Sequence, residues 1–361
     1  MLFGLILLLL LLIVYLFIRQ PSFGNPPTGQ RLERIRKSPN YKNESFQNLS
    51  ETSMMIEGVN MWKIVKEMYF KKHENVRPDH QIPYIKKSFN IIGGVQPEIT
   101  WFGHSSYLLQ INDVNILVDP VFSERASPVS YVGSKAFGGS NVFGVEDLPP
   151  IDIVLISHDH YDHLDHNVIR QLKNRVQIFI MPHGVGSHLE YWGVDPKKIK
   201  ELDWWEKFIS ARGLEFIATP ARHFSGRSFK RNKTLWASYV LRTGKYTLFL
   251  GGDSGYDTHF KTIGEKYGPF DMAILENGQY NKMWPNIHMF PEETVQAAVD
   301  LKAKILLPVH WSKYSLSIHP WNEPIERAIK KAADLHVKVI TPMIGETITI
   351  QPAIETKYWW R

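Results

Sequence analysis

The segment Ile153-Val154-Leu155-Ile156-Ser157-His158-Asp159-His160-Tyr161-Asp162-His163 decides how the rest of the chain is read. An apolar run of strand type ends abruptly in three imidazoles and two carboxylates within six residues. His158 and His160 stand two apart, and on an extended backbone such side chains project to the same side. Both can therefore meet one cation. Asp162 and His163 fall where the chain must turn, ahead of a helix starting near Asp165 or His166, and so face a second cation. With no cysteine in 361 residues, disulfides, thiol catalysis and thiolate zinc sites are excluded. Imidazole and carboxylate are the ligands zinc then takes. A chance polar loop is the bland alternative, but α/β sites lie at the C-terminal ends of strands, where this cluster falls.

Working outward, other strand candidates deliver similar residues at their ends. His223 follows an apolar run closing in Ala218-Thr219-Pro220 and lies near Gly226. Asp253 follows Tyr246-Thr247-Leu248-Phe249-Leu250 and precedes Gly255, and His310 follows Ile305-Leu306-Leu307-Pro308-Val309. Taken singly, these read as a surface histidine or a turn aspartate. Four strands that each present His or Asp at the same end are hard to assign to chance. Asp119 also ends an apolar run, at 115–118. Further strands are predicted at 99–102, 107–111, 176–180, 236–241, 272–275, 337–340 and 347–350, and helices at 166–173, 258–267, 291–302 and 323–333. This alternation predicts a layered α/β domain with helices covering sheets.

The stretch Leu2–Ile18 is apolar apart from Gly4 and Tyr15. It lacks the basic start and small-residue exit of a cleaved signal peptide. At ~1.5 Å per residue it sits at the short end of what crosses a ~30 Å hydrocarbon core. An uncleaved single-pass transmembrane anchor, residues 1–19, is the expectation. Arg19, Arg31, Arg34, Arg36 and Lys37 all follow it, which puts the catalytic domain on the cytoplasmic side by the positive-inside rule. The net charge of +6 is concentrated there, so an anionic bilayer surface is the expected partner. No run of Lys and Arg interleaved with aromatics marks a nucleic-acid groove, and no nucleic-acid partner is expected.

Residues 20–95 read as a linker with an accessory helix. Pro, Gly, Asn and Ser dominate 20–53. The stretch 54–72 is predicted helical, with Ile56, Val59, Trp62, Val65 and Tyr69 on its packed side. The regular domain is expected over 96–352.

The His158/His160/Asp162/His163 pattern resembles the signature of the metallo-β-lactamase superfamily. Within it, the chain is similar to the N-acyl-phosphatidylethanolamine-hydrolysing phospholipase D family. The resemblance rests on Trp101-Phe102-Gly103-His104-Ser105-Ser106, Ser123-Glu124-Arg125-Ala126-Ser127-Pro128, Asp203-Trp204-Trp205, Gly251-Gly252-Asp253-Ser254-Gly255 and Val309-His310-Trp311. It covers 98–310, and the first hundred residues owe nothing to it. It implies a four-layer αββα sandwich and two zinc ions per chain. His158, His160 and His223 are implied on one ion, Asp162, His163 and His310 on the other, with Asp253 bridging both. Asp119 is implied behind a ligand, and His104 near the site but off the metal. Asp162 and Asp253 are then the catalytic carboxylates, and a hydroxide bridging the ions is the nucleophile, aimed by Asp253. Tyr161 and His288 match family positions beside the substrate; a packing aromatic and a loop histidine are the plain alternatives.

The implied reaction is hydrolysis of an N-acyl-phosphatidylethanolamine-like membrane phospholipid to phosphatidic acid and an N-acylethanolamine. A lactonase of a sugar phosphate is the alternative within the same fold, and a metal-binding, membrane-associated scaffold the alternative without catalysis. A complete ligand set argues against the scaffold. Asn277-Gly278-Gln279-Tyr280 departs from the family pattern, which leaves headgroup recognition open. A homodimer is among the oligomeric states left open.

Overall fold

The computed structural model describes residues 2–89, 94–350 and 355–361. Among the described residues, two seven-stranded sheets form the body of the protein. In chain order their strands are β1 (Glu98–Trp101), β2 (Tyr107–Ile111), β3 (Val114–Val118), β4 (Ile153–Leu155), β5 (Ile178–Pro182), β6 (Ile199–Leu202) and β7 (Lys207–Ile209). They continue with β8 (Glu215–Thr219), β9 (Ser238–Arg242), β10 (Thr247–Leu250), β11 (Met272–Glu276), β12 (Ile305–Val309), β13 (Lys338–Val339) and β14 (Thr347–Thr349). The helices are α1 (Leu2–Ile18), α2 (Gly29–Ile35), α3 (Met61–Phe70), α4 (His166–Leu172), α5 (Gly186–Tyr191), α6 (His259–Tyr267), α7 (Pro291–Asp300) and α8 (Glu323–Asp334).

The first sheet runs β6-β5-β4-β3-β2-β1-β14, and the second β7-β8-β9-β10-β11-β12-β13. Strands β3 to β6 are parallel, as are β10 to β13, and the remaining neighbours are antiparallel. Parallel strands covered on both faces carry near-continuous apolar runs, which is why β11 and β12 read so plainly in the sequence. Alternate residues of the second sheet serve different layers. Phe216, Ala218, Leu248, Leu250, Ile274 and Leu307 join the core against the first sheet. Ile217, Phe249, Ala273, Leu275 and Leu306 join the layer under α6, α7 and α8. Helix α4 buries Val168, Ile169 and Leu172 in the core of the first sheet. Helix–sheet–sheet–helix layering results, with each large apolar side chain contributing roughly 1.5–3 kcal/mol by burial.

The pattern missed β6 and β7. Both are sheet edges carrying Lys200, Glu201 and Lys207, the charges that blunt edge strands and also erase their apolar signal.

The N-terminal region departs further from expectation. Leu2–Ile18 is one continuous helix, exposed from Phe3 to Leu16. Its length of about 25 Å falls short of the hydrocarbon core. No helix among the described residues is long and apolar enough to cross a membrane, so the expected single-pass anchor is not supported. The basic flank is also largely neutralised: Arg31 and Arg34 pair with Glu190 and Glu201, and Arg36 with Glu33 and Glu44. Residues 20–53 are docked on the sandwich rather than loose. Ile35, Tyr41 and Phe46 are buried in the main core, Asn40 Nδ2 donates to Asp203 Oδ1 at 3.0 Å, and Phe46 N donates to Asn232 O at 2.8 Å. Their apolar residues are too sparse to make a period, so only the tertiary contacts reveal the docking. Helix α3 starts later than predicted, capped by Asn60, whose side chain accepts from Lys63 N at 2.9 Å. Trp62 is 81% exposed and so is not on a packed side. The predicted end of the domain, Pro352, lies outside the described residues.

Phe46→Ala is expected to cost about 3–5 kcal/mol, read from the denaturant midpoint, whereas deleting residues 2–19 should leave that midpoint unchanged. No loss in Phe46→Ala would return 20–53 to the status of a loose linker.

Candidate metal centre

Six strands end at one place. β3 delivers Asp119, β4 the loop from Ser157 to His163, β8 leads to His223, β10 to Asp253, β11 ends on Glu276 and β12 leads to His310. The turn between β1 and β2 adds His104. Three of these residues, His104, Asp119 and His310, have φ of +53°, +39° and +65°. Asp and His visit this left-handed region more readily than most residues, and strain of this kind collects at functional sites. Gly252 is required by proximity: a Cβ there would lie 2.5 Å from the Ser157 Cβ, pushing the end of β10 off the ligand loop.

Seven residues named from the sequence converge in two adjacent groups, and Asp253 and His310 also lie with Glu276 and His288 in a third. His158, His160, His223 and Asp253 form one set of ligand atoms; Asp162, His163 and His310, joined by His104, form the other. His160 Nδ1 lies 2.9 Å from His158 Nε2 and 3.2 Å from His223 Nε2. A tetrahedral cation with ~2.0–2.1 Å bonds holds its ligands about 3.3 Å apart, so this trio fits one. Asp253 sits between the groups. Its Oδ2 is 3.1 Å from His163 Nε2 and 3.7 Å from His223 Nε2, and its Oδ1 is 3.1 Å from His310 Nδ1. His163 Nε2, His310 Nε2 and Asp253 Oδ1 are buried without a hydrogen-bond partner. Buried polar atoms in native proteins are rarely left so, and a cation is the partner this donor set suits.

Several of the rings have a partner outside the ligand set, as is usual of metal-ligating histidines. His163 Nδ1 donates to Asp119 Oδ2 at 2.8 Å, and Asp119 also accepts from Ser157 N and Oγ at 2.7 and 2.5 Å. His223 Nδ1 is 2.8 Å from the Ile287 carbonyl, and His310 Nδ1 is 2.9 Å from Ser105 Oγ. His104 Nε2 is 2.9 Å from Asp162 Oδ2, with its ring 4.0 Å from that of His310. His104 therefore orients a carboxylate, and Asp119 a ring.

The electrostatics suit cations. Burial above all holds His158, His223 and His310 well below the ordinary histidine range, leaving them neutral. Burial by itself raises Asp253, but His163 and the other imidazoles more than reverse this and lower it to about 2. Burial opposes protonation of His163, yet Asp253, Asp162 and Asp119 lift it well above its usual value. That ring is where the excess negative charge of the basket falls.

A cavity of about 250 Å³ opens over the cluster. Its floor is His160, Asp162, Asp253, His288 and His310, and its walls include Met54, Met61, Ile64, Phe224, Trp284 and Leu316. His288, expected beside the substrate headgroup, lines the cavity next to the candidate metal ligands. Tyr161 is not among the lining residues: its hydroxyl donates to the Arg227 carbonyl and its ring lies under that guanidinium. It lies in the turn 161–163, between His160 and Asp162.

Glu276 was missed. It is 1% exposed, accepts from His288 Nδ1 at 2.7 Å, and accepts from Ser254 N and Met289 N at 2.9 and 3.1 Å. Burial pushes its pKa up to about 7, with His288 opposing, while on His288 burial is outweighed by Glu276 together with Asp253 and Asp162, which push it up to about 9. The signal was available: Glu276 ends an apolar strand as Asp253 and His310 follow theirs.

Fold and donor set together define a metal-dependent hydrolase. Residues 114–311, more than half of the chain, match the family model described as Beta-lactamase superfamily domain. The chain belongs to the metallo-β-lactamase superfamily. An uncharacterized protein of Mycobacterium tuberculosis is 39% identical over 329 residues, spanning 90% of this chain and 88% of that protein. The N-acyl-phosphatidylethanolamine-hydrolyzing phospholipase D 1 of Caenorhabditis elegans is 31% identical over 230 residues, 60% of this chain and 64% of that protein. Among solved structures, a metallo hydrolase of Ignicoccus hospitalis shares the fold, with a TM-score of 0.55 and 22% identity over 71% of this chain and 99% of that one.

Asp119→Asn should weaken metal binding by roughly 10–100-fold, measured by competition with a chelator. Unchanged affinity would show that the His163 ring needs no support.

Proposed function

We propose that the chain is a dizinc phosphodiesterase that cleaves N-acyl-phosphatidylethanolamine-like phospholipids in the manner of a phospholipase D. The cavity carries this reading, because one space combines a floor of imidazoles and carboxylates with walls of Met, Ile, Leu, Phe and Trp. Such a space suits a phosphodiester attached to acyl chains. The likeness to the C. elegans protein, over part of its length, supports the same substrate class.

His158, His160 and His223 would hold one ion, Asp162, His163 and His310 the other, with Asp253 shared. When bound, a zinc pair lowers the pKa of water to near 7 and neutralises charge growing on phosphoryl oxygens. The chain's own residues do the rest. Asp253 supplies the negative charge that keeps two cations together. His288, held by Glu276, faces the headgroup end of the substrate. Arg231, over the Phe224 ring at 5.2 Å, places a cation in the wall for the phosphate. The apolar walls exclude water.

The exposed apolar helix α1 supports attachment to a bilayer by insertion short of a span. Arg19, beside it, and Lys37 supply the positive charge toward anionic headgroups.

Elemental analysis should find about two zinc ions per chain. Chelation should abolish turnover, and zinc should restore it. Asp253→Asn should lose metal and at least roughly 100-fold in turnover. His288→Ala should keep its zinc and lose more activity on phospholipid than on a small activated phosphodiester. Activity that survives complete metal removal would sink the mechanism. A preference for a lactone over every phosphodiester would move the substrate elsewhere, and zinc loss in His288→Ala would make that residue a ligand.

A further inference from the structure

The loop from His158 to Leu164 shows its ligands to the cavity, and its opposite side is held by a second set of buried groups. Arg227 is 4% exposed. Its Nη1 donates to the Asp159 carbonyl at 2.7 Å and to the Leu164 carbonyl at 2.8 Å, gripping the ligand loop at both ends. Its Nε and Nη2 donate to the Ser22 carbonyl at 3.1 and 2.8 Å. Asp159 accepts from Gly226 N at 2.7 Å, Thr234 Oγ1 at 2.8 Å and His188 Nε2 at 3.2 Å. The other nitrogen of His188 accepts from Asn25 N at 3.0 Å.

Two relays therefore run from residues 21–27 to the ligand loop: Ser22 to Arg227 to the loop backbone, and Asn25 to His188 to Asp159. This strap is itself seated, since Trp192 Nε1 donates to the Pro21 carbonyl at 2.7 Å and Ser187 Oγ to the Pro26 carbonyl at 3.1 Å. Between them, Gly24 has φ of +73°, and a Cβ there would lie 2.1 Å from His188 Nδ1. The strap passes only as glycine.

We infer that Arg227 is a positioning residue for the metal-binding loop and that the strap 21–27 forms the outer wall of the metal centre. The physical reason is stoichiometric. A guanidinium cannot shed its proton, and its donors form a rigid fork. Two of the four hydrogen bonds that satisfy it come from the strap, and the other two grip the loop. With the strap lifted, the buried donors must turn toward water, which releases the carbonyls of Asp159 and Leu164. Helix α1 ends at Ile18, so a displacement of that helix reaches the zinc ligands through the Ser22 carbonyl. The inference rests on the ligand assignment proposed above.

The test is made in the full chain. Arg227→Lys keeps the charge and removes the fork; zinc affinity by chelator competition should fall 10–100-fold, and amide exchange over 158–164 should quicken. Turnover should drop with little change in KM, since no substrate contact is lost. Arg227→Ala should recover zinc affinity when guanidinium is added at millimolar concentration, which a merely loosened fold would not do. Deleting 2–19 should leave affinity unchanged. Deleting 2–27 should weaken it as Arg227→Lys does, with no further loss when the two are combined. Should the longer deletion not fold, the Arg227 variants and the rescue decide alone. Wild-type zinc affinity in Arg227→Lys, or in a folded 2–27 deletion, overturns the inference. A wild-type chain that binds no zinc defeats the ligand assignment instead, and faster exchange at 158–164 in Arg227→Lys still separates the two failures.

Discussion

Asp253 is a carboxylate 3% exposed, surrounded by imidazoles from four separate parts of the chain. Burying an ion without partners costs far more than a domain's whole stability, so such a group persists only when it is paired. His163 lies 3.1 Å from one of its oxygens and His310 3.1 Å from the other. The rest of the molecule can be understood as the means of holding that charge in place. Parallel strands supply a rigid edge, their ends supply the donors, and Gly252 lets the end of β10 approach the loop after β4 closely enough for one carboxylate to serve both groups.

The apparatus that holds the donors costs stability. Residues with φ in the left-handed region cost about 1–3 kcal/mol each when they are not glycine, and His104, Asp119 and His310 all adopt it. The two apolar layers supply the surplus. A core that buries Trp101, Trp236 and Trp311 almost completely can tolerate strain at its edge.

Much of this was legible in the sequence because the site sits where strong patterns end. Long apolar runs mark buried strands, and His or Asp just beyond them agrees with the seven converging residues at 158–163, 223, 253 and 310 that the family resemblance implied. Glu276 obeys the same rule and was passed over, since a single glutamate in an unremarked strand end carries no motif. Tyr161 was placed at the substrate on resemblance, whereas its ring packs under the Arg227 guanidinium and does not line the cavity over the cluster. The first hundred residues were least legible. Ile35, Tyr41 and Phe46 are buried by contacts distant in sequence, with no period to announce them, and Pro21, Gly24 and Pro26 read as punctuation when they build a strap. The helix at Leu2–Ile18 was read correctly as apolar and helical, but the single-pass anchor expected of it is not supported.

The account's central claim is that one buried carboxylate organises two adjacent cation sites in this basket. Anomalous diffraction from crystals of the zinc-loaded protein, measured on both sides of the zinc absorption edge, tests it most directly. Two peaks are predicted, one among His158, His160 and His223 and one among Asp162, His163 and His310, with Asp253 between them. A single peak, or one centred on Glu276 and His288, would contradict it.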